Sequence, residues 1–519
     1  MTAQRRQIRE FQFSGVNKDL PPNRLPDDLY SDVVNMEAFD IGMRTSLGTA
    51  AAFGTPLFDP EYLVFIKESG QFFWIYASSD GLGVTDGELH FDITPAAPIT
   101  STWLANWTHG DLNGLAVFNN SIDAPFYWNN ITAEIAKPLP DWPVGVTVEA
   151  MRAYNYNLIG MDVRNGGDFT NQLLWSNSAD PGVIPDSWTP LPENDAGFNT
   201  LSDQPGALVD GQQFRDTFML FKEHSTYLMN FIGGNSVFAF RKLFTTSGIL
   251  TQNCAAEYLG NVAVLTDGDF IITDGQRADS LIDKKMRTFL FNQIDSENFR
   301  AAYVVAYHAA NQIWCCFPQT GSDEATLALV YDSTDGKFGI RELTPKAAHI
   351  ARGQVGNVTG VISWDLDPGE WDLDITRWKQ NLFNPTEDAL LQADRTGTVL
   401  IAIGEGSTYT GTPIRSRVER SGLDFGAVEQ IKFVKSVVPR ITGTPGTKIQ
   451  VRLGAAANDA NIVLWQPPIE YIIGEGESGQ KVDVFVTGRF IAISFESELD
   501  QAPWIVQGVL FEFDFQGRF

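Results

Sequence analysis

The side chains of this chain that could do chemistry are its carboxylates, five histidines and three cysteines. Their spacing decides what they can do. The stretch "LTDGDFIITDGQ", Leu265 to Gln276, holds two Asp-Gly pairs separated by an apolar run. A calcium loop of the EF-hand type needs oxygen ligands at fixed steps and a closing Glu, and Phe270, Ile271 and Ile272 occupy those places. The competing reading is a hairpin, with Val262 to Leu265 as one strand and Phe270 to Thr273 as its return. Asp267 and Gly268 then supply residues that tolerate positive φ, and Asp274-Gly275 ends the second strand. The hairpin is the expectation.

"GEGESG", Gly474 to Gly479, matches the G-x-G-x-x-G dinucleotide pattern letter for letter. That pattern works only if a helix N-terminus follows to receive the pyrophosphate. Here "QKVDVFV" continues as a strand, and two glutamates in the loop would repel phosphate. "SADPG", Ser178 to Gly182, reproduces the first half of the sialidase Asp box without its Thr-Trp, and such boxes shape hairpin tips rather than perform catalysis. His90, His109, His224, His308 and His349 are scattered, with no zinc-protease pattern and no Gly-x-Ser-x-Gly elbow. Each reads as a surface or hydrogen-bonded core residue. Cys254, Cys315 and Cys316 cannot build a disulfide framework, and "IWCCFP" reads as buried thiols rather than a metal pair. A glycosidase pair could hide among the carboxylates, but the sequence offers no means of selecting one. No catalytic, cofactor-binding or metal-ligating residue is therefore nominated, no cofactor is expected, and the chain reads as a non-enzyme.

The elements that would position such residues are strands. Gly 46, Phe 36 and Trp 13 in 519 residues, with many Asn-Gly and Asp-Gly pairs, favour strands joined by tight turns. Pairs of short apolar runs recur from Tyr62, Leu115, Leu158, Phe218, Val262 and Ile313, with a weaker copy from Thr396. Their spacing is roughly 45–60 residues through most of the series, near that of four-stranded propeller blades. Hairpins with little intervening helix favour radial closure, which protects sheet edges. The predicted fold is all-β: a β-propeller over 56–400, N-terminal strands in 1–55 that join or close it, and a β-rich region over 401–519, sandwich-like or forming outer propeller strands. "DWPVG" near Trp142 and "TPLPENDAG" near Leu191 read as linkers between blades. "SWDLDPGEWDLDITRWKQNLF" reads as an exposed connection.

The net charge of -27 lacks the basic footprint of a nucleic-acid binder. It suits solubility, and equally a surface that DNA must pass without adhering. The N-terminus has arginines but no apolar stretch behind them, so no signal peptide is read, and no run approaches the roughly 18 apolar residues of a membrane span. Folding in a cytoplasm and no membrane insertion are the expectations.

Several stretches together resemble the β-propeller tail nozzle or tail hub proteins of short-tailed bacteriophages, also called packaged-DNA stabilisation proteins. They are "GVNKDLPPNRLPDDLYSDVVNMEAFDIGMRTSLGT" from Gly15, "LLWSNSADPGVIPDSW" from Leu173, and "RDTFMLFKEHSTYLMNFIGG" from Arg215. Two more are the opening stretch extended into "DGQRADSLIDKKMRTFLFNQID", and "NQIWCCFPQTGSDEATLALVYDSTDGKF" from Asn311. Their order matches over residues 10 to 345, and the region after Leu400 is less specific. The family carries no catalytic residues to transfer. The resemblance implies a virion tail protein, assembled in the host cytoplasm as a homo-oligomeric ring, typically a hexamer. Such a ring extends the portal-adaptor channel, meets tail adaptor and fibre or needle proteins, and retains packaged double-stranded DNA until it slides out without specific binding. A carbohydrate-binding or glycoside-hydrolysing propeller and a receptor-binding tail component are the alternatives.

Overall fold

The computed structural model describes residues 7–39, 42–68, 71–100, 107–112, 114–180, 182–234, 236–355, 388–404, 407–457, 462–474, 481–497 and 502–518. Among the described residues, six consecutive four-stranded antiparallel meanders and a seventh completed by an N-terminal strand make the blades of a β-propeller. Their innermost strands are Tyr62–Glu68, Thr108–Leu112, Val146–Tyr154, Leu208–Phe214, Ala255–Tyr258, Tyr303–Tyr307 and His349–Gly353. The last of these lies beside the first, so the ring closes.

Within a blade, burial falls from the middle outwards. The second strands Leu115–Asn119 and Gln312–Phe317 are buried at every position, because blades cover both of their faces. The outer strands Lys137–Pro138 and Ala278–Ser280 are polar and largely exposed. Blade-to-blade packing is aromatic: Phe73 meets Trp128 edge-on, and Trp175 meets Phe238 in the same way.

The Asp-Gly stretch is a hairpin in blade 5, with Val262 opposite Thr273 and Leu265 opposite Phe270. Its turn works differently from the expectation. Gly268 does not take a positive φ; the Thr266 hydroxyl donates to the Asp269 carbonyl and accepts from the Asp269 N–H instead. Positive φ is needed later, at Gly275 (φ 83°). "TPLPENDAG" is not a linker between blades: it lies inside blade 3, between strands Asp168–Trp175 and Gly197–Thr200. Its loop folds back so that Trp188 meets Trp142 edge-on at 4.6 Å. Proline-rich composition marks a loop but not which elements it joins. The Trp-Asp stretch 363–383 and most of the 474–479 loop lie outside the described residues.

The chain reaches blade 7 twice. Strands His349–Gly353, Ala389–Asp394 and Val399–Ile403 come from its later part, and N-terminal Thr49–Ala52 pairs alongside, Leu400 opposite Ala52. A second module, a β-sandwich, is also built from both ends. One sheet holds Gln7–Gln12, Trp504–Arg518, Gln430–Gly443 and Val482–Gly488. The other holds Asp32–Val34, Arg417–Leu423, Phe490–Ser497 and Lys448–Ala456, with Leu464–Trp465 and Ile469–Ile472 on its far side. Between the sheets, Val434, Val437, Val486, Val509 and Phe511 share a core with Val418, Ile449, Val451, Ile493 and Phe495.

The modules are welded. Met36–Phe39 and Gly42–Thr45 connect the outer strand of blade 6, Lys337–Ala347, to Trp504–Arg518, giving one ten-stranded sheet across both. Within the sandwich sheet, Gly508 permits a close approach: a Cβ there would stand 2.1 Å from the Phe11 carbonyl oxygen. Buried Arg420 gathers the Pro22, Leu25, Pro26 and Ser421 carbonyls. Asp19 accepts from the Thr288 and Phe289 N–H groups, at the start of the short helix Arg287–Gln293.

Candidate functional site at the propeller axis

The axis is where a propeller gathers side chains from every blade, since each innermost strand faces it. Here each blade sends one polar or aromatic group: Tyr62, His109, Arg152, Asp210, Asn253, Tyr303 and His349, in blade order. Asn253 precedes the strand Ala255–Tyr258, and the other six lie within their innermost strands.

These groups bond one another. Arg152 donates Nε to Asp210 Oδ1 at 2.8 Å and Nη2 to Asp210 Oδ2 at 2.7 Å. Nη2 also reaches Asn253 Oδ1 at 2.8 Å, and the Asn253 N–H donates to Asp210 at 2.8 Å. The Tyr62 hydroxyl stands 3.2 Å from Asn253 Oδ1 and 2.8 Å from His109 Nδ1. His349 accepts from the Leu63 N–H at 3.3 Å, and its ring packs on Tyr62 and Tyr303 with centroids 4.3 and 5.1 Å away. The network joins blades 1 to 5 and blade 7 by hydrogen bonds and reaches blade 6 by ring contact.

The electrostatics make this a seal. Burial, with the Arg152 charge nearby, pushes both His109 and His349 down to about 3, so both imidazoles are neutral at ordinary pH. Burial opposes the Arg152 charge too, but the Asp210 carboxylate outweighs it and raises its pKa. Burial, with a smaller push from the Asp210 carboxylate, drives the Tyr62 hydroxyl upward against the Arg152 charge. Neutral His109 is held by Tyr62, and Arg152 is locked to the Asp210 carboxylate.

One mouth of the axis keeps a pocket of about 50 Å³, lined by Glu61, Trp107, Arg300, Tyr303 and His349 among others. Ligand pockets run to several hundred Å³, so it is too small for a sugar ring or nucleotide. Burial raises the Glu61 carboxyl, which Ser79 Oγ meets at 2.8 Å. The indole N–H of Trp107 is near enough to favour its charged form but makes no bond of hydrogen-bond geometry with it. A larger hollow of about 610 Å³ lies between blades 6 and 7, lined by Asp323, Glu324, Glu342 and Asp394. Arg395 ties Glu324 and Asp323 at 3.0 Å each, and Lys346 approaches Asp323 at 3.5 Å.

The remaining histidines stay apart. His90 bonds Tyr76 and the Phe53 carbonyl, His308 stacks on Tyr258 beside Arg352, and exposed His224 is 3.5 Å from Asp267. Cys254, Cys315 and Cys316 are buried free thiols, and burial pushes Cys316 up to about 12. Among the described residues no group of His, Cys, Asp and Glu could hold a metal ion, and no helix is long and apolar enough to cross a membrane. The sequence lists all five histidines but not that two of them meet Arg152, Asp210, Asn253, Tyr62 and Tyr303. Their offsets along the innermost strands differ from blade to blade, so no repeat signal announces the cluster.

No family model and no curated protein matches the chain. Among solved structures, BBS1N in complex with ARL6DN aligns with a TM-score of 0.38 at 9% identity, over 70% of this chain and 97% of that one. The Pan2 WD40 domain of Neurospora crassa aligns at 0.38 and 10%, over 72% and 99%. YCF48 bound to D1 peptide aligns at 0.35 and 8%, over 71% and 96%. At these scores the likenesses carry nothing about activity or partners, and the propeller assignment stands on the seven meanders themselves.

Proposed function

We propose that this chain is a structural subunit of a short bacteriophage tail, a nozzle or hub protein that assembles into a ring and forms part of a DNA conduit. The observation that carries this reading is the sealed axis. A propeller that binds or transforms a small molecule in a central cup would need that cup open. This propeller instead fills its axis with a bonded cluster, so it serves as a solid block.

Duplex DNA cannot thread such a block. A passage has to lie between copies, with each subunit contributing a stretch of wall. The surplus of carboxylates suits that wall: 64 Asp and Glu stand against 37 Lys and Arg. Many of the cations are already engaged, as in Arg164–Glu149, Arg287–Asp269 and Arg417–Asp32. Others are buried under backbone carbonyls, as Lys222 and Lys432 are. A surface of unpaired carboxylates repels phosphate, so DNA slides along it. The continuous sheet through both modules suits a part that carries load. The resemblance of residues 10 to 345 to the nozzle family supplies the proposed hexamer and its adaptor and fibre partners.

The test is electron microscopy of the purified protein with mass measurement at high concentration. A ring with a central channel lined mainly by carboxylates is expected. A monomer that hydrolyses or binds members of a glycan panel, or a ring with a basic lumen, overturns the reading.

A further inference from the structure

Tyr303 on blade 6 enters the axial cluster by ring contact only. Its hydroxyl has no hydrogen-bond partner among the described residues, and the same holds for Glu61 Oε2 and Trp107 Nε1. These residues are deeply buried, with Tyr303 and Trp107 3% exposed and Glu61 7%. All three line the pocket of about 50 Å³ at the mouth of the axis. Buried polar atoms without partners are rare in folded proteins, and three around one cavity point to a guest.

The neighbours do not satisfy them. Asn253 donates its side-chain N–H to the Trp107 carbonyl at 3.0 Å, and its oxygen accepts from Arg152 and Tyr62. The Tyr62 hydroxyl is shared between Asn253 and His109. Ser79 Oγ donates to the other Glu61 oxygen, Oε1, at 2.8 Å. Burial, and then the nearby Cys316 thiol, raise the Tyr303 hydroxyl, yet those two groups make no bond of hydrogen-bond geometry.

Their chemistry selects the guest. An indole N–H can only donate, so it turns a positive dipole towards any bare cation. An ionised carboxylate only accepts, so it repels an anion. The tyrosine hydroxyl can do either. The guest must therefore be neutral, accept from Trp107 and donate to Glu61. Size narrows the choice to water: one molecule needs roughly 10–15 Å³, so the pocket has room for about three or four.

We infer that this pocket is a built hydration site, in which a small cluster of water molecules bridges Glu61 at the start of blade 1, Trp107 at the start of blade 2 and Tyr303 on blade 6. The waters bring the sixth blade into the hydrogen-bond network that joins the other six, so all seven share one polar seal. The site belongs to the propeller alone and is independent of the ring proposed above.

The test is a high-resolution crystal structure of the full chain, with further crystals soaked in sodium bromide and in rubidium chloride. Expected are ordered waters within hydrogen-bond reach of Glu61 Oε2, Trp107 Nε1 and Tyr303 Oη, and no anomalous peak from either ion in the pocket. An empty pocket, a direct Glu61–Trp107 bond that closes it, or an ion inside it overturns the inference. In solution, melting temperatures are compared for Glu61→Met, Tyr303→Phe and the double variant. A shared water couples the two blades, so the double variant should lose less than the sum of the single losses. Losses that simply add, or a higher melting temperature for Tyr303→Phe, mean a dry pocket and sink the bridge.

Discussion

Arg152 and Asp210 face each other across the boundary between blades 3 and 4 as a two-bond pair, 2.8 and 2.7 Å long, with Asp210 only 2% exposed. The pair also organises Asn253, which spends its side-chain carbonyl on Arg152 and Tyr62 and its backbone N–H on Asp210. Three blades and part of a fourth therefore depend on one guanidinium. Arg152→Met leaves the Asp210 carboxylate buried without its cation, which costs about 3–5 kcal/mol. Asp210→Asn keeps the shape but weakens the pair and costs less. Urea unfolding at pH 7 measures both, and a loss below 1 kcal/mol for Arg152→Met would mean that the axis relaxes or hydrates freely.

His109 and His349 give the axis a pH dependence whose sign follows from their depressed pKa values. In the unfolded chain each takes a proton near pH 6.5, whereas in the folded protein neither does so until about 3. Between those values the unfolded state binds more protons, so stability falls as pH drops from 6.5 towards 3. Above pH 6.5 both imidazoles are neutral in either state and contribute no slope. His349→Gln should flatten the acid limb relative to wild type in denaturant melts at pH 7, 5.5 and 4.5. Parallel limbs for the two proteins would contradict the assignment.

Arg420 tests the N-terminal segment as a structural strap. Its side chain is 2% exposed, and burial lowers it to about 10 against the opposing pull of the Asp27, Asp424 and Asp28 carboxylates. Arg420→Met strips the donor from the Pro22, Leu25 and Pro26 carbonyls and should free the segment around exposed Arg24. Faster tryptic cleavage after Arg24 is the expected readout, with a loss of about 1–3 kcal/mol in stability. Equal cleavage rates would show that Asp19, Asn17 and the strand pairing hold the strap without Arg420.

Much of the fold is legible from the sequence where burial is two-sided. The apolar runs from Leu115, Val262 and Ile313 announce the second strands of their blades, because such strands cannot be polar on either face. Outer strands such as Ala278–Ser280 carry no such signature and are found only through register with their neighbours. The fourth strand of blade 7 is harder still. Thr49–Ala52 reads as a small apolar run far from Val399–Ile403 in the chain, and only ring closure brings the two together.

Composition and local pattern determined that this protein is built of β-meanders, that its net charge is acidic, and that Asp267 and Asp274 sit at the ends of hairpin strands. Those properties depend on near neighbours in the chain, through the alternation of side chains, the geometry of tight turns and the sum of charges. Tertiary structure alone decided that the axis is shut, that seven blades surround it, and that both chain ends build one sandwich. The axial groups run from Tyr62 to His349, and their meeting depends on the angle between blades, which no local pattern encodes.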